Sequence, residues 1–320
     1  MTGGAPRAGP AVNAAPDPAD HRVTVSASHL LDVPLADGRH LRVRRTPGRG
    51  RPAVLLHGLL DDAAGWSQVM ERSSHPCLAF DLPGFGGSSA PRRPRIDAYA
   101  EDVAEALAVL DVAHATVVGH SLGGAVGALL AERSAAVDAL ALLAPAGFGP
   151  VRLARLAALP GVRHALQAAL PLGLANPLVV TAAYTTFVAH RRLPSADLVA
   201  RLRRSSLSGA RGARMAVEAV DHAGRDDGGL GRRLVAFEGP VAALWGDRDA
   251  LVPTAHARAV ARSFPQARVE VWAAMGHHPQ RERPAALDHF LSRALWQARP
   301  RARARAVAPD PGRPMREEAA

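Results

Sequence analysis

ATVVGHSLGGAV, residues 115–126, changes character at a single residue, Ser121. Before it, Ala115–Val118 is a short apolar run of the kind found in strands buried on both faces. After it, LGGAVGALLAERSA predicts a helix with small residues on its early face. Between them, Gly119-His120-Ser121-Leu122-Gly123 has the pattern G-x-S-x-G. A serine lifted off a strand end into so sharp a turn has strained backbone angles, with φ above zero. The residues two before and two after it then approach closely, and a Cβ at either position clashes. Gly119 and Gly123 remove that Cβ. The turn leaves the Ser121 hydroxyl exposed above the sheet. It also lies beside a helix N-terminus, whose unpaired N–H groups favour negative charge.

The same alternation extends in both directions. PAVLLHG (52–58), PCLAFDLPG (76–84), VDALALLAP (137–145), PVAALWGD (240–247) and ARVEVWAA (267–274) predict strands. HRVTVSAS (21–28) and RHLRVRRT (39–46) predict a further strand pair joined through the turn signal ADG. IDAYAEDVAEALAVLDV (96–112), TAHARAVARSF (254–264) and PAALDHFLSRALWQ (284–297) predict helices, the last with Pro284 at its first position. Strand–helix alternation of this kind implies an α/β fold: a mostly parallel central sheet with helices on both faces. Residues 147–236 break the rhythm. RLAALPGVRHALQAAL, NPLVVTAAYTTFVAHRR and SADLVARLRRSS, separated by Pro and Gly, read as a helical cap inserted into a core of residues 21–146 and 237–296. Residues 1–20 and 297–320 read as disordered ends, rich in Ala, Pro and Gly at one end and in Arg and Pro at the other.

Composition narrows the function classes. Hydrophobic content of 48% over 320 residues is ample for a core, and aromatics at 4% leave Leu, Val and Ala to fill most of it. The single cysteine, Cys77, opens a buried strand and reads as packing. The first 20 residues lack the apolar stretch of a signal peptide and no uncharged run of 18 apolar residues occurs, so the expectation is a cytoplasmic protein with no membrane span. Metal-binding spacings such as H-E-x-x-H and CxxC are absent, as is a GxxxxGK[ST] phosphate loop, so no metal and no cofactor is expected. The net charge of +10 comes from Arg alone. Residues 150–236 carry 13 Arg against 5 acids, net +8, and the tail carries 6 Arg against 3 acids, net +3. The tail reads as solvated, with no nucleic-acid partner expected.

A serine hydroxyl is a poor nucleophile without a base, and the base needs an orienting acid. Downstream, strand ends supply both. LWGDRDALVP offers Asp247 and Asp249, and MGHHPQ offers His277 and His278. Strand geometry alone does not choose between the two acids, because residues two apart point the same way.

With these residues in place the chain resembles the α/β-hydrolase fold superfamily, in its group of capped esterase- and lipase-like serine hydrolases. Four stretches carry the likeness: LLHGLLDD, DLPGFGGS, GHSLGG, and WGDRDALVP together with GHHPQRERP. They cover roughly 50–145 and 240–290. The likeness implies a Ser-His-Asp triad in which Ser121 is the nucleophile. The family pattern G-x-x-D-x-x-x-P, matched by Gly246, Asp249 and Pro253, selects Asp249. The pattern Gly-His selects His277 as base. Backbone N–H groups of Leu122 and, after the His-Gly of the first loop, Leu59 are implied as the oxyanion hole.

Around these, His57 is expected to shape its loop and His120 to pack beside the turn. Asp61 and Asp62 are expected to cap the following helical turn, with a place facing the pocket entrance as the alternative for either. His278, its side chain diverging from that of His277, is expected to pack or face solvent. The implied reaction is hydrolysis of a carboxylic ester or thioester through an acyl-enzyme. The substrate would be a small hydrophobic acyl or ring compound, met in the cap by residues such as Leu170, Leu172, Leu178, Tyr184 and Phe187. The basic cap raises the alternative of an anionic substrate or carrier. Carbon–carbon bond hydrolysis, lyase chemistry and haloperoxidase-like perhydrolysis are alternatives on the same triad, and a slow-turnover small-molecule receptor is the non-enzyme alternative.

Overall fold

The computed structural model describes residues 28–151, 159, 161–188, 193–208, 230 and 236–296. Eight strands form one sheet in the order β1-β2-β4-β3-β5-β6-β7-β8. These are β1 (His29–Pro34), β2 (His40–Arg45), β3 (Ala53–Leu56), β4 (Cys77–Phe80), β5 (Ala115–His120), β6 (Val137–Leu143), β7 (Val241–Gly246) and β8 (Arg268–Trp272). β1 and β2 are antiparallel, as are β2 and β4, and every other pairing is parallel. One expectation moves. The partner of β2 is HLLDVP, not HRVTVSAS, of which 21–27 lie outside the described residues. HLLDVP places Val33 in the core opposite Leu41 and closes the hairpin through a short turn at Gly38, φ 82°. The nearer strand therefore closes the smaller loop.

The central strands bury both faces, so their side chains divide between two cores by period two. Val54, Leu56, Phe80, Val117, Leu140, Leu142 and Trp245 enter one, with α2 (Ile96–Val109) and α3 (Leu122–Arg133) packed over it. Leu55, Cys77, Ala79, Val118, Leu143 and Leu244 enter the other. That second core is covered by Trp66, Val69 and Met70 around α1 (Ser67–Met70) and by Leu287, Phe290 and Leu291 later in the chain. Cys77 is a buried free thiol whose pKa burial raises, as a packing residue should be.

Between β6 and β7 the described chain forms α4 (Val162–Ala175), α5 (Pro177–Ala183), a π-helical turn (Tyr184–Val188) and α6 (Ala196–Ser208). Asn176 caps α5 by accepting from the Leu178 N–H at 2.9 Å, with Pro177 at the first helical position. The rest of the expected helical stretch 155–161 and residues 189–192 lie mostly outside the described residues. Finally α7 (His256–Ser263) joins β7 to β8, and α8 (Pro279–Glu282) and α9 (Pro284–Leu291) follow β8. Among the described residues no helix is long and apolar enough to cross a membrane.

Candidate active site

Ser121 stands where β5 ends and α3 begins, with φ 52° and ψ −115°. Such an angle costs a non-glycine residue of order 1–3 kcal/mol and persists only where the surroundings impose it. Here the Ser121 N–H donates to the Leu143 carbonyl of β6 at 2.9 Å, and the Ala146 N–H donates to the Ser121 carbonyl at 3.0 Å. A Cβ on Gly119 would lie 2.3 Å from the Gly123 carbonyl oxygen, and one on Gly123 would lie 2.3 Å from the Leu56 carbonyl oxygen. Both glycines are thus required by backbone, not by a movable side chain.

The ends of β7 and β8 meet beside this turn. Asp249 Oδ2 pairs with His277 Nδ1 at 2.7 Å, and Asp249 Oδ1 accepts the Leu251 and Val252 N–H groups, each at 2.9 Å. Both side chains are essentially buried, at 0% and 4% exposure. A carboxylate so fixed holds the imidazole with its Nδ1 toward the acid and its Nε2 free to face elsewhere. Gly246 lets the two strand ends close: a Cβ there would lie 2.1 Å from the Met275 carbonyl oxygen. Asp247, the other acid, is exposed and accepts the Met275 N–H at 3.3 Å, a turn bond away from the imidazole.

The loop after β3 forms the third side. A Cβ on Gly58 would lie 2.8 Å from His120 Nδ1 and 3.1 Å from Ser121 Cβ, so this backbone runs directly against the serine. Leu59 follows it, and Leu60 is left-handed at φ 59°. Leu122 heads α3, so its N–H is among those with no carbonyl partner inside the helix. His57 does shape the loop, its Nδ1 bonding the Gly58 carbonyl at 2.7 Å while its Nε2 accepts the Leu82 N–H at 2.9 Å.

Two neighbours depart from expectation. Asp62 caps the 3-10 turn Ala63–Trp66 by accepting the Ala64 N–H at 3.0 Å, but Asp61 does not cap. It is buried and pairs with Arg281, because its carboxylate is turned under Gly65. His278 packs, as expected, but its ring stays beside that of His277 rather than diverging from it. Their ring centroids are 5.5 Å apart, and His120 stacks against both, at 4.6 Å from His277 and 4.8 Å from His278. His120 Nε2 donates to the His277 carbonyl at 2.8 Å. Burial, and after it the charge of neighbouring imidazoles, holds His120 and His278 well below the ordinary imidazole value of 6.5.

The helices between β6 and β7 reach this loop. The His277 N–H donates to the Val188 carbonyl at 2.7 Å, Tyr184 Oη lies 3.4 Å from His278 Nδ1, and Arg201 pairs with Asp62 at 3.1 Å. A cleft of about 440 Å³ lies there, between Tyr184, Leu193 and Leu198 on one side and Gly65, Gln68 and Arg281 on the other. Leu172 and Leu178 are exposed, and the side chains of Leu170 and Phe187 lie outside the described residues. Among the described residues no cluster of His, Cys, Asp or Glu is arranged to hold a metal ion.

Sequence reading missed Glu282. It is buried, and its two carboxylate oxygens accept the N–H groups of Gly276 at 2.9 Å and His278 at 3.0 Å, on either side of His277. The available signal was an acid five residues after His277, just before a helix-starting Pro284.

The family model of the alpha/beta hydrolase fold matches residues 52–284, which include Ser121, Asp249, His277 and the loop after β3. The chain belongs to the α/β-hydrolase fold family. That membership places it among hydrolase enzymes. An uncharacterized protein of Mycobacterium tuberculosis (strain H37Rv) is 31% identical over 271 residues, covering 81% of this chain and 79% of that one. The dihydrolipoyllysine-residue acetyltransferase component of the acetoin cleaving system of Pseudomonas putida is 33% identical over 261 residues, covering 77% of this chain and 64% of that one. Among solved structures, a bacterial membrane phospholipase A shares the fold with a TM-score of 0.69 at 24% identity, covering 84% of this chain and 85% of that one.

Proposed function

We propose that this α/β-hydrolase is a serine hydrolase acting through an acyl-enzyme. The supporting observation is the conjunction at three strand ends: a strained Ser121 beside a buried Asp249–His277 pair. In this reading Ser121 Oγ attacks a substrate carbonyl carbon while its proton passes to His277 Nε2. Asp249 orients the imidazole and stabilises the imidazolium. The Leu59 and Leu122 N–H groups hold the oxyanion, a contribution of roughly 10²–10³ in kcat per donor in comparable sites. His277 then returns the proton to the leaving alcohol or thiol, and the acyl group stays on Ser121. Water, deprotonated by His277, attacks the ester carbonyl and releases the acid. Positioned proton transfer of this kind contributes roughly 10²–10⁴-fold.

The substrate class in this reading is a carboxylic ester or thioester with a hydrophobic acyl group. The relative named as an acetyltransferase component supports keeping acyl donors other than simple esters, thioesters among them, in that class. Residues 147–236 act as the cap that selects the acyl group. Their net basic charge keeps an anionic substrate or carrier as the alternative; Arg201, the arginine of this segment whose side chain is described, pairs with Asp62 and Asp197.

A panel of p-nitrophenyl esters of increasing chain length, run beside acyl thioesters, tests the proposal. Turnover that depends on chain length, with a burst of one acyl group per Ser121, is expected. Absence of turnover on every ester and thioester while Ser121 reacts with a fluorophosphonate contradicts it, and moves the chemistry to carbon–carbon bond hydrolysis, lyase chemistry or perhydrolysis on the same residues.

A further inference from the structure

The two halves of the proposed machinery come from loops far apart in sequence. Leu59 belongs to the loop after β3, and His277 to the loop after β8. Two consecutive residues of α8 grip both. Arg281 donates from Nη2 to Oδ1 of Asp61, which lies two residues beyond Leu59. Glu282 takes the Gly276 N–H on Oε2 at 2.9 Å and the His278 N–H on Oε1 at 3.0 Å, so its carboxylate straddles the backbone of His277. The same residue closes its own loop, since the Glu282 N–H donates to the His278 carbonyl at 2.8 Å. All three side chains are largely buried: Asp61 at 6% and Arg281 at 13% exposure, and Glu282 at 8% as a residue.

We propose that Arg281 and Glu282 form a positioning brace that fixes the catalytic imidazole of His277 relative to the oxyanion loop; this rests on the serine-hydrolase reading above. The chemistry of the grip argues for positioning. A carboxylate offers two acceptor oxygens and no donor, and charge-assisted bonds from two N–H groups hold one orientation of the intervening residue. Adjacent side chains on a single short helix leave little play between the two loops. Small displacements matter at such a site, because an error of about 1 Å in a reacting group costs on the order of 10²-fold.

Glu282→Gln separates positioning from folding. The amide keeps the shape but offers one acceptor, and its NH₂ faces an N–H. The expected result is a fall in kcat of about 10- to 100-fold with KM unchanged, in a protein that still melts cooperatively. The rate of Ser121 labelling by a fluorophosphonate falls by the same factor. The downfield proton resonance of His277 Nδ1–H, held by Asp249, shifts or broadens. Glu282→Asp keeps the charge but shortens the reach by one methylene and does not restore the rate. Wild-type kcat and an unmoved His277 resonance in folded Glu282→Gln overturn the proposal. The resonance does not depend on turnover. A wild-type protein that fails to label at Ser121 therefore refutes the function, while the imidazole signal still decides the brace.

Discussion

The strand-borne half of this molecule and its inserted helices are held by different forces. Ser121, Asp249 and His277 follow the ends of β5, β7 and β8, of which β5 and β7 are buried on both faces while β8 is the half-exposed edge strand beside them. The helices between Val162 and Ser208 build a small cluster of their own, with Tyr184 and Leu198 buried against Val188 and Leu202. They meet the core through polar ties: the Val188 carbonyl, Tyr184 Oη and the Arg201 guanidinium. Leu172 and Leu178 remain exposed on them, as does Leu193 in the loop before α6. In the proposed reading, chemistry that demands sub-ångström geometry falls to the strand-borne part, and selection of an acyl group, which tolerates adjustment, falls to the inserted helices.

This contrast orders what substitution should do. The largest effect belongs to the sheet. His277→Ala and Asp249→Asn should each lower kcat for an ester by on the order of 10⁴-fold or more. His278→Ala should leave most activity. A reversal between the two histidines, read in the same assay, would move the base by one residue. Next comes Gly119→Ala, which puts a methyl 2.3 Å from the Gly123 carbonyl oxygen. It should cost about 1–3 kcal/mol or more and slow Ser121 labelling, and an unchanged melting temperature would show that the turn is not strained as described.

Arg201→Met acts on the other region. It removes the tie to Asp62. Limited proteolysis within 193–208 should accelerate while the labelling rate of Ser121 stays the same. Parallel loss of labelling would mean that insertion and core are one rigid unit, and the contrast would fail. The smallest effect concerns pH. His120 and His278 are held below 6.5, so the unfolded chain binds protons that the folded chain refuses. Their contribution to stability is full above about pH 6.5 and is lost as pH falls. His278→Gln removes one such group and should flatten the slope of unfolding free energy below pH 6.5 by at most about 1.4 kcal/mol per pH unit. An unchanged slope would show that His278 titrates normally in the fold.

Legibility in the sequence followed the same divide. The run ATVVGHS and its flanking glycines encode a steric necessity, so the turn at Ser121 could be read from residue types alone. The acid was not readable from strand geometry, and the family pattern selected Asp249 over Asp247. In the fold Asp249 meets the imidazole and Asp247 meets a backbone N–H. Three contacts stayed hidden for one reason: Asp61 with Arg281, Glu282 with the His277 loop, and His278 with His120 each join segments whose approach only the folded sheet creates, or depend on how one short loop folds back. Local periodicity carries no signal for them. The strand pair at the N-terminal edge was misplaced because 21–28 and 29–34 both carry alternating apolar residues, and only loop closure distinguishes them.

The central claim is that a strained Ser121, served by His277, is a nucleophile. Intact-mass and peptide spectra after treatment with a fluorophosphonate test it most directly. The account predicts a single adduct on Ser121 in the wild type, none in Ser121→Ala, and labelling slowed by orders of magnitude in His277→Ala. An unlabelled wild type, or an adduct on another residue that persists in Ser121→Ala, would contradict it.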